Sequence, residues 1–268
     1  MTNKIFILKL KKLLINFFYF FNLKLTKIST HETLVSKANF ENKFNYIINA
    51  RSKNLAKIQK YAALSKSQIF QDIFVLDYLN FPTNGFFVEF GAYDGKYLSN
   101  TYLLEKKFNW KGIVAEPAIS LQKKLKKNRN CFKEFRCVYS ESGKKILFNE
   151  TDSKELSTIE MFSNKDGHKN ERLLGNKYTV ETISLNDLLK KFSCPRNFEY
   201  LSMDTEGSEF EILKKLNFDY FSPKIITVEH NYNSAMRNNI YKLLTNNKYV
   251  RILENISLFD DWYIKKNL

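Results

Sequence analysis

One stretch, FFVEFGAYDGKYLSN from Phe86 to Asn100, constrains this chain more than any other. Phe86, Phe87, Val88 and Phe90 form a short β-prone apolar run, interrupted by Gly91, Asp94 and Gly95, and a helical pattern begins near Ser99. The order is strand, glycine-containing loop, helix. Glycines in such a loop reach positive φ and let a ligand approach the backbone without a Cβ in the way. Free N–H groups at the start of the following helix suit polar or anionic ligand groups. Downstream, KGIVAEP from Lys111 to Pro117 reads as a second buried strand ending in Glu116, 21 residues after Gly95. A carboxylate delivered at about that distance by the second strand of a βαβ unit can accept both hydroxyls of a ribose. The loop and Glu116 together predict a nucleoside-containing ligand. The plainer alternative is a tight β-to-α turn that binds nothing, with Glu116 a solvated acid.

A chain of 268 residues, 44% hydrophobic and 15% aromatic, is long and apolar enough for one α/β domain with an appendage. Its net charge of +15 is unevenly spread, with +11 carried by residues 1–66, where Glu32 and Glu41 are the only acids. The remainder is close to neutral, so the folded domain does not read as a nucleic-acid binder. Cys131, Cys137 and Cys194 form no CxxC pair and leave one thiol over, which fits a reducing, cytoplasmic setting. His31, His168 and His230 include no HxxxH pair, which argues against a histidine zinc site.

Lysines alternate with apolar runs at Ile5–Leu8, Leu13–Ile15 and Phe17–Phe21. Only 11 residues separate Lys12 from Lys24, too few for a bilayer span, and no small-residue cleavage site follows Leu23. Residues 1–28 therefore read as a basic, aromatic-rich helix lying on an anionic membrane surface at the inner face, or as an ordinary helix packed on its own domain. Residues 1–66 are expected to form a helical extension and residues 67–268 the folded domain.

Within that domain, Ser67–Asn80 predicts a helix with a broad apolar side, stopped by Pro82 and Gly85. Strands are expected at 86–90, 112–116, 132–138, 199–203, 224–229, 249–254 and 261–265, with helices between the first six. The last two strands lack room for a crossover helix, so the final strand must return antiparallel. Lys145–Phe148 and Tyr178–Ile183 read as further strands, and Ser184 as the cap of a helix over Leu185–Phe192. Between them, Asn149–Tyr178 loses periodicity, and a segment of that length is where substrate selectivity is expected. Asp204 ends the fourth strand, and Glu206-Gly207 turns the chain into a helix near Ser208. Strand-end acids in such a sheet face the ligand crevice.

The stretches SQIFQDIFVLDYL, GFFVEFGAYDGKYLSNTYLLEK, WKGIVAEP, TISLNDLL, YLSMDTEGSEFEIL, ITVEHN and DDWYI, from about Ser67 to Lys265, closely resemble the FkbM family of S-adenosylmethionine-dependent methyltransferases. That resemblance implies a Rossmann-like class I methyltransferase fold, a doubly wound seven-stranded sheet with an antiparallel last strand, in agreement with the strand count. It implies that Glu89, Gly91 and Gly95 form the loop around the methionine part of S-adenosyl-L-methionine, that Glu116 holds the ribose, and that Asp94 and Asn100 line the same pocket. Asp204 would sit beside the sulfonium and the substrate. The family is associated with O-methylation of hydroxyls on sugars, polyketides and related molecules, so a hydroxylated small-molecule or glycan acceptor is expected.

A hydroxyl needs a base to draw off its proton during attack. Asp204 and His230 are the candidates, since both follow strands at the ligand edge. Glu206 and Glu209 read as helix-start residues, or as hard ligands for a magnesium ion, and no metal site is assigned. Two rival readings stand beside the methyltransferase. One is a nicotinamide-dependent oxidoreductase, disfavoured by the closing hairpin and the lack of a tight GxGxxG. The other is a non-enzymatic, membrane-associated module that keeps the fold.

Overall fold

A computed structural model describes residues 43, 46, 53–165 and 167–266. In chain order the elements are α1 (Leu55–Ala62), α2 (Gln71–Tyr78), β1 (Phe86–Phe90), α3 (Tyr102–Phe108), β2 (Lys111–Ala115), α4 (Gln122–Asn128), β3 (Phe132–Glu134), β4 (Cys137–Tyr139), β5 (Lys145–Glu150) and β6 (Thr158–Ile159). Then come α5 (Lys169–Arg172), β7 (Asn176–Ser184), α6 (Leu185–Lys191), β8 (Tyr200–Met203), α7 (Glu209–Leu213), β9 (Ile225–Glu229), α8 (Ser234–Asn246), β10 (Tyr249–Ile252) and β11 (Asp260–Lys265).

Seven strands form the main sheet in the order β10-β11-β9-β8-β1-β2-β3. The pairs among β9, β8, β1, β2 and β3 are parallel, whereas β11 runs antiparallel to both β9 and β10. The expected antiparallel last strand is present, inserted between the fifth and sixth strands rather than added at the edge. Alternate side chains of each central strand feed opposite layers, as a pleat requires. Val88, Phe90, Leu201, Met203, Ile226 and Val228 pack with α6, α7 and α8 on one side. Phe87, Val114, Tyr200, Ile225 and Trp262 pack with α1, α2 and α3 on the other. Trp262 lies stacked on Phe74 of α2, centroids 4.6 Å apart. Both faces are covered, so the strands are predominantly apolar, with Glu89, Ser202 and Thr227 among the exceptions, and this is why they were legible as buried runs.

Two details differ from the pattern-based reading. The expected third strand, 132–138, is two: β3 pairs with β2 in the main sheet, and after Phe135-Arg136 the chain leaves as β4. Strand β4 belongs to a second sheet, β4-β7-β5-β6, with its own small core of Ala118, Leu121, Cys137, Phe148, Ile159 and Val180. The aperiodic segment after β5 accordingly contains β6 and α5 and lies against this sheet. Second, the expected boundary at residue 66 falls between α1 and α2, yet Ile58 and Ala62 of α1, and Tyr46 before it, share one core cluster with α2. The proposed membrane helix at residues 1–28 lies outside the described residues. Among the described residues, no helix is long and apolar enough to cross a membrane.

Candidate active site

Register explains how the site assembles. Phe90 of β1 is level with Ala115 of β2 and Met203 of β8, and Met203 is level with Val228 of β9. One residue further, at the carboxyl edge of the sheet, stand Glu116, Gly91, Asp204 and Glu229. Asp260 of β11 is paired with Glu229 and continues the row. Adjacent strands lie roughly 4.8 Å apart, so the edge is a line of carboxylates with a glycine in the middle. Gly91 has φ +75°, and a Cβ there would lie 1.6 Å from the carbonyl oxygen of Asp204. Only glycine fits.

Two connected cavities open above this row. A cleft is lined by Glu89, Gly91, Asn100, Glu116 and Asp204, and bordered as well by Cys137, Val138, Phe148 and Ile159 of the second sheet. A second cavity adjoins it, lined by Gln68, His168, Glu229, Asn231 and Phe259. Tyr97, Leu98, Glu155, Asp204 and Glu206 border both. Asp204 thus borders both spaces.

Of the six residues expected at the cofactor, four line the cleft and two do not. Glu116 is buried, accepts from the backbone N–H of Tyr93 and of Ala118, both at 2.9 Å, and burial pushes its carboxyl up to about 7. Each of its oxygens keeps a second lone pair for a ligand hydroxyl. Asn100 donates through Nδ2 to Ser202 Oγ at 3.0 Å, while its buried Oδ1 has no hydrogen-bond partner. Glu89 is already fully engaged: it accepts from the Asn100 N–H at 2.6 Å, from Ser99 Oγ, from Thr101 Oγ1 at 2.5 Å and from Arg129 at 3.2 Å. Its charge is countered by the buried guanidinium, which also reaches the Gly95 carbonyl. Glu89 therefore ties loop to helix. Asp94 and Gly95 shape that loop without lining the cleft. Asp94 accepts from the N–H groups of Lys96 and Tyr97, a local turn, and Gly95 leaves room for Arg129 and Leu125, each 2.6 Å from where its Cβ would be.

The two candidate bases separate as sharply. Asp204 is at the junction, with its carboxyl raised by burial and by neighbouring acids. His230 lines neither cavity. It is 1% exposed, its Nδ1 accepts from the Tyr232 N–H, its Nε2 lies 3.8 Å from Asp261, and burial lowers its pKa. Strand-end position placed it near the edge, but β9 delivers Glu229 to the cavity and turns the next side chain inward, since neighbours on a strand face opposite ways. His230 therefore packs beside Asp261, away from both cavities, and its buried Nε2 has no hydrogen-bond partner.

Glu209 is also internal to the fold: it is fully buried and accepts from the N–H of Thr205 and of Gly207, closing the turn after Asp204. Glu206 instead joins Asp204 and Glu229, the three bringing a carboxylate oxygen each to within 4.8 Å of one another. That set has the hard-oxygen chemistry to hold a divalent cation. Within it, Glu206 is bonded by Arg172 at 2.7 Å and by Asn231 at 2.9 Å. Burial and the adjacent Asp204 raise Glu229 well above the carboxylate range.

Glu229, Arg129 and Arg172 were not singled out by the sequence reading. The strand-end rule applied to ITVEH would have found Glu229, but nothing local announces either arginine, because their partners lie 16 to 40 residues away.

The sequence profile of the Methyltransferase FkbM domain matches residues 89–254, more than half of the chain and every element of the cleft from Glu89 to Glu229. The chain belongs to the FkbM methyltransferase family. With that, the oxidoreductase reading of the glycine loop falls away. No curated protein matches the sequence. Among solved structures, the methyltransferase FkbM from Methylobacillus flagellatus KT aligns with a TM-score of 0.43 at 11% identity, over 84% of this chain and 58% of that one. Precorrin-6y C5,15-methyltransferase from Geobacter metallireducens GS-15 aligns with a TM-score of 0.38 at 10% identity, covering 68% and 71%. The CurJ carbon methyltransferase gives 0.38 at 9%, covering 90% and 71%. The chain thus spans under two thirds of the Methylobacillus protein.

Proposed function

We propose that this FkbM-family methyltransferase uses S-adenosyl-L-methionine to methylate a hydroxyl of a sugar, glycan or related small molecule. The observation that carries the reading is the edge row itself: an acid suited to ribose at the end of β2, a glycine at the end of β1 and a second acid at the end of β8, all on one cleft. The residues present fit the cofactor, since Glu116 retains acceptor capacity for two hydroxyls and Asn100 offers a buried, unsatisfied oxygen. When bound, S-adenosylmethionine supplies an electrophilic methyl group. The chain supplies position and a proton acceptor. Glu116 orients the ribose, Gly91 keeps the floor of the cleft open, and an acceptor in the adjoining cavity presents its hydroxyl to the Asp204 carboxylate, which takes the proton as the oxygen attacks. Residues 1–28 bring the enzyme to an anionic membrane face, where the lysines contribute about 1 kcal/mol each.

Isothermal titration with S-adenosylhomocysteine tests the reading. Wild type binds in the micromolar range, and Glu116→Ala weakens binding by about a hundredfold, as expected for the loss of two hydrogen bonds to a charged group. A folded wild type that does not bind would leave the non-enzymatic module in place. Flotation of the full chain with anionic vesicles, against a chain lacking residues 1–28, tests the membrane contact, and equal recovery would remove it.

A further inference from the structure

We propose that Asn100, and not the carboxylate of Glu89, receives the α-ammonium group of the cofactor's amino-acid end. The inference rests on the S-adenosylmethionine reading and assigns that ligand's polar end to one atom of the chain.

Glu89, which lines the same cleft on β1, carries the charge complementary to an ammonium group. In this fold its capacity is spent. Asn100, Ser99, Thr101 and Arg129 donate to it, and the Arg129 guanidinium, itself 1% exposed, already balances its charge. An ammonium brought to the same oxygens would face that guanidinium and compete for occupied lone pairs.

Asn100 presents the opposite situation. Its side chain is 92% buried, being 8% exposed, and it lines the cleft. Nδ2 is fixed by Ser202 Oγ, which leaves Oδ1 as an acceptor without a donor. An unsatisfied buried acceptor is costly, and such groups in native proteins are commonly completed by a ligand or water.

Which donor completes it follows from position. The cofactor carries hydrogen-bond donors at the ribose hydroxyls, the adenine amino group and the α-ammonium. Glu116, at the end of β2, serves the ribose. Apolar Cys137, Val138, Phe148 and Ile159 close the cleft on the second-sheet side, which suits the adenine ring. Asn100 stands at the other side of β1: its backbone N–H bonds Glu89, its side chain bonds Ser202, and Glu89 and Ser202 are directly paired across β1 and β8. A cofactor straddling β1 with its ribose towards β2 places its amino-acid end there. The ammonium is the donor that remains.

A ligand-by-variant cycle on the full-length protein tests this, with affinities read by calorimetry. S-adenosylhomocysteine is compared with its analogue lacking the α-amino group and with 5′-methylthioadenosine, which lacks the whole amino-acid end, on wild type, Asn100→Ala and Asn100→Asp. Removing the amino group is expected to weaken binding to wild type about tenfold and to change binding to Asn100→Ala by less than twofold. Asn100→Asp, which keeps the acceptor oxygens, is expected to restore the preference for the amino group, and 5′-methylthioadenosine to bind all three proteins alike. Equal amino-group penalties in wild type and Asn100→Ala overturn the assignment while leaving the cofactor in place. Should Asn100→Ala not fold, a missing preference in either wild type or Asn100→Asp overturns it. Absence of S-adenosylhomocysteine binding to wild type overturns the underlying reading instead, so the two failures are told apart.

Discussion

The two ends of the edge row hold carboxylates by different means. At the β2 end, Glu116 is steadied by backbone N–H groups of Tyr93 and Ala118, one within the glycine loop and one two residues ahead of it. At the β8 and β9 end, Asp204 and Glu229 crowd one another, and Glu206 is held by Arg172, a buried residue of α5 that also donates to the Leu156 carbonyl. The first arrangement is built within one βαβ unit from backbone N–H groups. The second concentrates like charges and depends on a long-range cation. Carboxylates two and three strands apart thus belong to one end steadied by backbone N–H groups and another that is electrostatically loaded.

Gly91 divides the two ends, and replacing it should injure both. Gly91→Ala sets a Cβ against the Asp204 carbonyl at a positive φ, and overpacking plus backbone strain should cost about 5 kcal/mol. Urea unfolding measures it, and a loss under about 1 kcal/mol would mean that β1 and β8 are less tightly joined than the register indicates. Next in size is Arg172→Ala, which leaves the buried Glu206 without its guanidinium and should cost about 3 kcal/mol or more. Adding Glu206→Gln should recover much of that cost, while cofactor affinity in both variants stays within a few-fold of wild type. If S-adenosylhomocysteine binding collapses with Arg172→Ala in protein that remains folded, the two ends are not independent.

A smaller effect distinguishes the ends by pH. Glu116 has its folded pKa raised from 4.5 to about 7. In the ligand-free protein its contribution to stability is therefore greatest below about 4.5 and is lost as pH rises through about 7. Ribose hydroxyls donating to the ionised form reverse the preference. Affinity for S-adenosylhomocysteine should then fall as pH drops below 7, by up to about tenfold per unit, with proton release on binding at pH 6. Titrations at pH 6 in buffers of differing ionisation enthalpy count those protons, and Glu116→Gln should abolish the release. The smallest effect is expected from Asp94→Ala. It removes an exposed turn's acceptor and should cost about 0.5–1 kcal/mol in stability with less than a threefold change in cofactor affinity. A tenfold loss of affinity would instead make Asp94 a direct ligand contact.

How far each end was legible follows from the same contrast. The row Glu116, Gly91 and Asp204 could be read from the chain because a mostly apolar strand of four or five residues followed by glycine or an acid announces both its direction and its carboxyl edge. The Ser184 cap was equally plain, and its Oγ does accept from the Asp187 N–H. The roles of Glu89 and His230 were not. Whether Glu89 meets a ligand or the Arg129 guanidinium depends on a residue 40 positions away. Whether His230 faces the cavity or the Asp261 side depends on where β9 ends in the sheet.

Sequence alone therefore determined the main sheet, its antiparallel closing strand and the carboxyl edge, because hydrophobic periodicity and glycine placement are local properties with one compatible layered fold. Tertiary structure decided the second sheet that closes the cleft, the split of 132–138 between two sheets, and which polar groups are spent on the protein and which are left for a ligand. Satisfying a buried polar group is a matter of three-dimensional neighbours, and four donors gathered around Glu89 beside one unsatisfied oxygen on Asn100 are invisible until the chain has folded.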